Sequence, residues 1–231
     1  MIGEIQKLLD QVYEEQQKKR EAEFRILQAQ IKPHFLYNTL DTIHWMAQEK
    51  GAGDIVGIVD ALTRLFRISL SKGRDVIRLE EELEHVTSYL VIQKIRYLGK
   101  FDYTIDADPT LLAMPVVKLT LQPLVENALY HGIKEKVGHG TLTVSARKEG
   151  EVLVLTVTDD GAGMDAPALK ALERNLGHGE DASQKGFGIF SVHHRIRLVF
   201  GEGWGLSYQS TPDKGTTVTV RQPLVAEGEL A

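Results

Sequence analysis

Apolar residues recur at helical spacing along the first part of the chain. The period of one α-helical face relates Ile5, Leu8, Leu9 and Val12 and, after a charged stretch, Phe24, Leu27, Ile31, Phe35 and Ile43. A second stripe runs from Ile55 to Leu65, after a break in which Asp54 is placed to cap the second helix. Two amphipathic helices joined by a short turn form a hairpin, and two hairpins can close a four-helix bundle. We therefore predict a homodimer.

Beyond the hairpin, the pattern predicts one further helix at Leu79–Tyr97. From residue 101 onward, it predicts strands that alternate with helices. Period-two alternation and β-branched residues predict strands at 101–106, 141–147, 151–158, 205–210 and 216–222. Helical stretches are predicted at 116–131, 166–176 and 188–200. The fold class is therefore α+β in two domains. These are a helical hairpin over residues 1–75, a connecting helix over residues 76–100, and an α/β sandwich over residues 101–231.

Composition narrows the classes of function. A net charge of −5 argues against a surface that coats nucleic acid, so we expect no direct nucleic-acid binding. The absence of cysteine excludes a disulfide framework, a thiolate metal site and a thiol nucleophile. No apolar run approaches the roughly 18 residues of a membrane helix, so we expect these residues to be soluble, as a protein or as part of a larger one.

Three short motifs in the second half carry candidate chemistry. The segment LQPLVENALYHGIK presents Glu126, Asn127 and His131 on a helix. The segment TDDGAGM follows a strand directly, and an Asp-Gly turn there is common in any fold. In KGFGIFSV, two glycines open a helix, where the backbone can approach a phosphate. Each motif alone is weak evidence, and a buried or capping asparagine would be the better interpretation of the first.

Taken in order, these motifs and the later GTT resemble the nucleotide-binding boxes of the GHKL ATP-binding fold, which is also called the Bergerat fold. Histidine kinases, gyrase-type topoisomerases, a class of chaperones and mismatch-repair ATPases share that fold. The segment QIKPHFLYNTLDTIHWMA resembles the phospho-acceptor box of LytS/YesM-type sensor histidine kinases. The segments LEEELEHVTSYLVIQKIRY and GIFSVHHRIRLVFG also match that family, so the resemblance covers nearly the whole chain and is nearest to the YesM branch.

The resemblance implies that His34 accepts the γ-phosphoryl group of ATP. Without it, a histidine lining a helix interface would be the default interpretation. Pro33 interrupts a helical pattern at a cost of roughly 3 kcal/mol, and a kink there is our hypothesis for how the imidazole becomes exposed. Phe35 stands where many histidine kinases have an acidic residue, so the general base stays open. Asn38, four residues on, shares the His34 face and can orient a water or a phosphoryl oxygen.

The resemblance also implies an ATP and Mg²⁺ site. Asn127 holds Mg²⁺, with Glu126 as a second candidate ligand, and Asp159 accepts a hydrogen bond from the adenine amino group. Arg195 is either a phosphate contact, an inter-domain contact or a surface residue. The remaining nucleotide-binding candidates are the glycines that keep the base pocket open, those that hold a lid against the phosphates, two residues beside the phosphates and one in the closing box: Gly161, Gly163, Gly186, Gly188, His131, Lys134 and Thr216.

The expected function is autophosphorylation followed by transfer to an aspartate of a response regulator receiver domain. The resemblance further implies an AraC-type DNA-binding output in that regulator, an upstream transmembrane sensor, and a location on the cytoplasmic side of the cell membrane. Two alternatives remain open. One is a pseudokinase that dimerises and signals by conformation, and the other is a GHKL ATPase of the chaperone or topoisomerase class.

Overall fold

The computed structural model describes residues 33–69, 75–178 and 187–225. Predictions about residues 1–32 and about Gly186 lie outside the described residues. The chain divides into two compact units, with the boundary between Val59 and Asp60. None of the helices in the described ranges combines the length and the hydropathy that a bilayer span requires.

The first two helices are joined by a short turn, as predicted. Helix α1 covers Pro33–Glu49 and helix α2 covers Gly53–Ser69. Between them, Gly51 adopts a φ of 66°, and the amide of Ala52 donates to the carbonyl of Ala47 at 2.9 Å. This is the Schellman pattern that ends a helix at a glycine. Because α2 begins at Gly53, Asp54 lies inside its first turn. The cap position is therefore Ala52, and the prediction of Asp54 as the cap residue was wrong by two positions.

The connecting helix begins inside a small sheet. Strand β1 (Val76–Arg78) pairs antiparallel with strand β3 (Pro115–Val117), and helix α3 (Leu79–Arg96) follows β1 directly. The side chain of Glu81 accepts from the Arg78 amide at 3.0 Å, which satisfies one of the unpaired donors at the helix start. Sequence periodicity did not reveal β1 and β3, because each has three residues.

The five predicted strands are confirmed and form one sheet. They are β2 (Phe101–Ala107), β4 (Gly140–Glu149), β5 (Val152–Asp159), β6 (Gly205–Thr211) and β7 (Gly215–Pro223). Their order across the sheet is β2-β4-β5-β7-β6, with β2 and β4 parallel and the other neighbours antiparallel. Along β4, buried residues alternate with exposed ones, as expected for a sheet that is covered on one face.

Helices α3 to α6 supply the other layer of this unit. The predicted helix over 116–131 was wrong at its start, because Val116 lies in β3 and Leu119 has a φ of 57°. Helix α4 covers Leu121–Asn127 and continues as a π-helical turn, Ala128–Ile133. Helices α5 (Ala166–His178) and α6 (Phe187–Phe200) lie close to their predicted bounds. One continuous core joins the sheet to the helices, with the largest fully buried apolar side chains at Phe101, Leu79, Leu90, Leu121, Leu124, Leu129, Leu142, Leu153, Leu155 and Ile196.

Candidate functional site

A buried carboxylate stands at the end of the central strand. Asp159 is the last residue of β5 and is 4% exposed. Burial raises the pKa of this carboxyl, although backbone amides of Gly161 and Thr216 oppose the rise. The adjacent Asp160 is engaged elsewhere, because its two oxygens accept from the Thr141 amide and from Lys136, at 2.8 and 2.9 Å. Of the two consecutive aspartates, Asp159 is therefore the one whose carboxylate faces the interior.

Two glycines form a cradle around that carboxylate. A Cβ on Gly132 would lie 2.8 Å from Cγ of Asp159, and a Cβ on Gly161 would lie 2.6 Å from its Oδ1. The amide of Gly161 donates to that Oδ1 at 2.8 Å. The amide of Ala162 donates to the Gly132 carbonyl at 3.2 Å. The π-helical turn and the loop after β5 thus meet backbone to backbone, and only glycine fits at the meeting point.

The GTT motif and the last glycine of the TDDGAGM motif also lie at this end of the sheet. Thr216 pairs with Asp159 in the β5–β7 register, and its hydroxyl lies 2.9 Å from Oγ of Ser210. Gly163 has a φ of 66°, and a Cβ there would lie 2.8 Å from the carbonyl carbon of Thr211. Gly163 is therefore required for a left-handed turn packed on β6. Its role in keeping a base pocket open remains a prediction.

The asparagine segment lies one helix turn away from the cradle. Asn127 is the last residue of α4 and is half-buried. Beside it, the Glu126 carboxylate accepts from the Gln122 amide at 2.8 Å. His131 and Lys134 are exposed, and the Lys134 ammonium lies 5.6 Å from the ring centroid of Tyr130. Single-turn π-helical segments in proteins are frequently found at functional sites, and here this turn carries both His131 and Gly132.

Helix α6 brings the second glycine motif next to the asparagine helix. A Cβ on Gly188 would lie 3.5 Å from Cβ of Pro123, an ordinary contact distance. Gly188 itself is exposed in the first turn of α6. Further along α6, the Arg195 guanidinium donates to the carbonyls of Lys118 and Leu119, at 2.6 and 2.9 Å. Arg195 is thus half-buried and bound to the loop before α4, which excludes the surface interpretation.

In the first unit, the predicted phospho-acceptor and its neighbour lie on one face of α1. His34 and Asn38 are both exposed. The Asn38 amide nitrogen lies 3.3 Å from Nδ1 and 3.4 Å from Nε2 of His34. Side chains four residues apart on a helix are neighbours, so this arrangement follows from the spacing. An amide can donate to an unprotonated ring nitrogen, but it cannot accept a proton as a base does.

Sequence reasoning missed two residues of this region. Gly132 forms half of the cradle, and its signal was a glycine inside a helical pattern, which indicates close packing. Glu82 is fully buried in α3 and accepts from the Leu119 amide in the loop before α4. No local pattern distinguished it from its neighbours Glu80 and Glu81, because its partners lie more than thirty residues away along the chain.

The residues fit a nucleotide and a magnesium ion. The carboxylate of Asp159 is an acceptor held in place by backbone contacts, which suits it to accept a hydrogen bond from an adenine amino group. Asn127 and Glu126 offer amide and carboxylate oxygens, which are the ligand types of Mg²⁺. Among the described residues, no group of three or more acidic or histidine side chains could hold a metal ion. Phosphate oxygens and water would then supply most of the coordination, as is usual for Mg²⁺.

Two family models match the chain. The histidine kinase model matches residues 22–101, and the model described as histidine kinase-, DNA gyrase B- and HSP90-like ATPase matches residues 116–226. A histidine kinase domain from an Erythrobacter litoralis blue-light activated histidine kinase is 19% identical with a TM-score of 0.47, and the match covers 84% of this chain and 86% of that one.

Curated relatives agree with the family models. Sensor histidine kinase YesM of Bacillus subtilis is 34% identical over 96% of this chain and 37% of its own length. Sensor protein LytS of Oceanobacillus iheyensis is 33% identical over 86% of this chain and 34% of its own length. The chain thus spans about a third of the length of these relatives. It belongs to the histidine kinase family, and the resemblance to sensor histidine kinases of the LytS/YesM type is confirmed.

Proposed function

We propose that this chain is the kinase region of a two-component sensor histidine kinase, which phosphorylates itself on His34 with Mg-ATP. The observation that carries the proposal is the glycine cradle around Asp159, in a chain that also presents His34 on an exposed helix face. A buried carboxylate in such a cradle suits recognition of the adenine amino group. Asn127 and Glu126 would hold Mg²⁺, with His131 and Lys134 beside the phosphates. Gly186 and Gly188 would support the lid, and Thr216 would close the base pocket.

The proposed chemistry uses His34 and Asn38 on α1. Bound Mg-ATP supplies the γ-phosphoryl group. An unprotonated ring nitrogen of His34 forms the N–P bond while the P–O bond to ADP breaks. The proton on the other ring nitrogen leaves to solvent, which reaches His34 because its side chain is exposed. Asn38 orients the imidazole through its amide, 3.3 Å away, and its loss should slow the reaction without abolishing it.

Partners follow from the same proposal. The phosphoryl group of His34 passes to an aspartate of a response regulator receiver domain, and that regulator carries an AraC-type output. Helix α1 exposes large apolar side chains at Phe35, Trp45 and Met46, which supports packing against a second copy in a homodimeric bundle. A transmembrane sensor upstream would place these residues on the cytoplasmic side of the membrane.

The experiment compares Mg-ATP labelled at the γ-phosphorus with Mg-ATP labelled at the α-phosphorus. The proposal predicts that the γ label alone becomes attached to the protein, that acid removes it, and that alkali leaves it. Replacing Asp159 with Asn should remove the label together with nucleotide binding. Nucleotide binding without any transfer of the γ label would contradict the proposal and favour a signalling module without kinase activity.

A further inference from the structure

The segment that leads into the asparagine helix is held from two sides by charged residues. Glu82 comes from α3 and is 0% exposed. Its Oε2 accepts from the Leu119 amide at 2.9 Å, and its Oε1 accepts from the Leu121 amide at 2.7 Å. The first amides of a helix have no partner within the helix. Glu82 therefore supplies, from another helix, the acceptor that α4 lacks at its first residue.

Arg195 holds the opposite edge of the same segment. Its guanidinium donates to the carbonyls of Lys118 and Leu119. Its positive charge also opposes the rise in the pKa of Glu82 that burial causes. A planar guanidinium can span two neighbouring carbonyls, which a lysine ammonium does not do with the same geometry. Leu119 is thus bound through both its amide and its carbonyl, and it keeps a φ of 57° that is uncommon for a leucine.

The contacts of Glu82 and Arg195 connect α4 with α6, and these two helices carry the residues that the proposed function places at the phosphates. Helix α4 ends at Asn127, and α6 begins beside Gly188, whose position is next to Pro123 of α4. Asp159 is positioned differently, since β5 is hydrogen-bonded to β4 on one side and to β7 on the other. The sheet therefore fixes Asp159, and the Ala162 amide binds the carbonyl of Gly132 to the loop after β5. The start of α4 and its neighbour Gly188 depend on helices instead.

We propose that Glu82 and Arg195 form a clamp that sets the position of α4 relative to α6, and thereby the affinity of the site for the magnesium–phosphate part of the nucleotide. Both are positioning residues, since neither is placed at the nucleotide. The inference rests on the proposed function, because it assigns Asn127 and Gly188 to the phosphate side. The clamp also assigns a role to α3, because Glu82 of this helix binds the first residue of α4.

The test measures two dissociation constants on the whole chain, one for the non-hydrolysable analogue Mg-AMP-PNP and one for adenosine. In the Glu82→Gln variant, the side-chain shape is kept, but one of the two acceptors becomes an amide donor that faces a backbone amide. The clamp predicts that the constant for Mg-AMP-PNP rises about tenfold, the equivalent of roughly 1.4 kcal/mol. The constant for adenosine should stay within about twofold, because Asp159 is held by the sheet.

Ser88→Ala is the matched control. Ser88 is buried on the same helix at 4% exposure, and its hydroxyl donates to the Glu84 carbonyl within that helix at 2.8 Å. Both dissociation constants should be unchanged in this variant. A parallel rise of both constants in Glu82→Gln, or no rise in either, would overturn the clamp.

Two further measurements keep the test decisive. Arg195→Lys keeps the charge but loses the two-carbonyl geometry, and it should show the same selective loss; this variant carries the test if Glu82→Gln does not fold. In the nucleotide-free chain, exchange of the Leu119 and Leu121 amides should be about tenfold faster in Glu82→Gln than in the parent. Unchanged exchange would contradict the clamp.

Binding by the parent protein distinguishes a failure of the proposed function from a failure of the clamp alone. If it fails to bind Mg-AMP-PNP more tightly than adenosine, the proposed function fails and the clamp fails with it. If the parent shows that preference and Glu82→Gln keeps it unchanged, the clamp alone is wrong.

Discussion

Gly132→Ala tests the geometry of the cradle at one atom. A methyl group at this position would lie 2.8 Å from Cγ and 3.2 Å from Oδ2 of Asp159. Carbon atoms in contact are normally about 3.5–4.0 Å apart, so the methyl group is too close to Cγ by roughly 0.7–1.2 Å. The carboxylate cannot move away at no cost, because it accepts from the Gly161 amide.

The size of the effect follows from two opposing contributions. Inserting a methyl group into a packed site costs about 1–3 kcal/mol. Replacing glycine by alanine in a helical segment returns up to about 1 kcal/mol. We therefore expect the free energy of unfolding to fall by roughly 1–2 kcal/mol. The methyl group would also displace the carboxylate that the proposed function places against the adenine. Nucleotide affinity should therefore fall by at least about tenfold if the charge-assisted bond to the adenine amino group is lost, since such bonds are worth roughly 1.5–3 kcal/mol.

The assay is urea unfolding together with a nucleotide titration, with Gly203→Ala as the control. Gly203 belongs to the same unit, has open space around its Cβ position, and lies outside the left-handed region. The same chemical change there should leave stability equal or slightly higher and should leave nucleotide binding unchanged. The cradle would be refuted if Gly132→Ala matched Gly203→Ala in both measurements.

Two further predictions concern stability. The burial of His85 lowers its pKa from 6.5 to about 4, so its stability contribution is complete above pH 6.5 and is lost as the pH falls towards 4. This loss amounts to about 3 kcal/mol, and urea unfolding of His85→Gln should show a flatter pH dependence in that window; an unchanged slope would refute the assignment. Gly163→Ala and Gly150→Ala both place alanine at positive φ, but only Gly163 is crowded. The Gly163 variant should therefore lose roughly 1–3 kcal/mol more, and equal losses in thermal unfolding would contradict this.

The tautomer of His85 supports that pH prediction. The Ser69 hydroxyl donates its one proton to the Leu65 carbonyl at 2.8 Å, so its oxygen can only accept from Nε2 of His85, also at 2.8 Å. In the neutral ring, the proton is therefore on Nε2. A glutamine can donate from a similar position without titrating, which makes His85→Gln a fair replacement.

The features that the sequence predicted correctly are those that local periodicity determines. Alternation over seven and eight residues was sufficient to predict β4 and β5, because each strand packs against the same core. The spacing of four predicted that Asn38 would lie beside His34. Strand β7 begins at the glycine of the GTT motif and covers the predicted strand at 216–222. In each case, the signal lies within a few residues of the feature.

What the sequence did not predict depends on distant partners. The segment before α4 looked helical from Val116 onward, but Leu119 adopts a left-handed conformation that Glu82 and Arg195 hold from 37 and 76 residues away. The π-helical turn places Gly132 against Gly161, a backbone contact that periodicity does not encode. The role of Arg195 was left open for the same reason.

Mapping the phosphorylated residue tests the central claim most directly. Helix α1 offers an internal control, because His44 lies on the same helix and is half-buried beside Trp45. After reaction with Mg-ATP, digestion at neutral pH and mass spectrometry should find the phosphoryl group on His34 and none on His44. The His34→Gln variant should carry none, while His44→Gln should be phosphorylated like the parent. Phosphorylation that persists in His34→Gln would contradict the account.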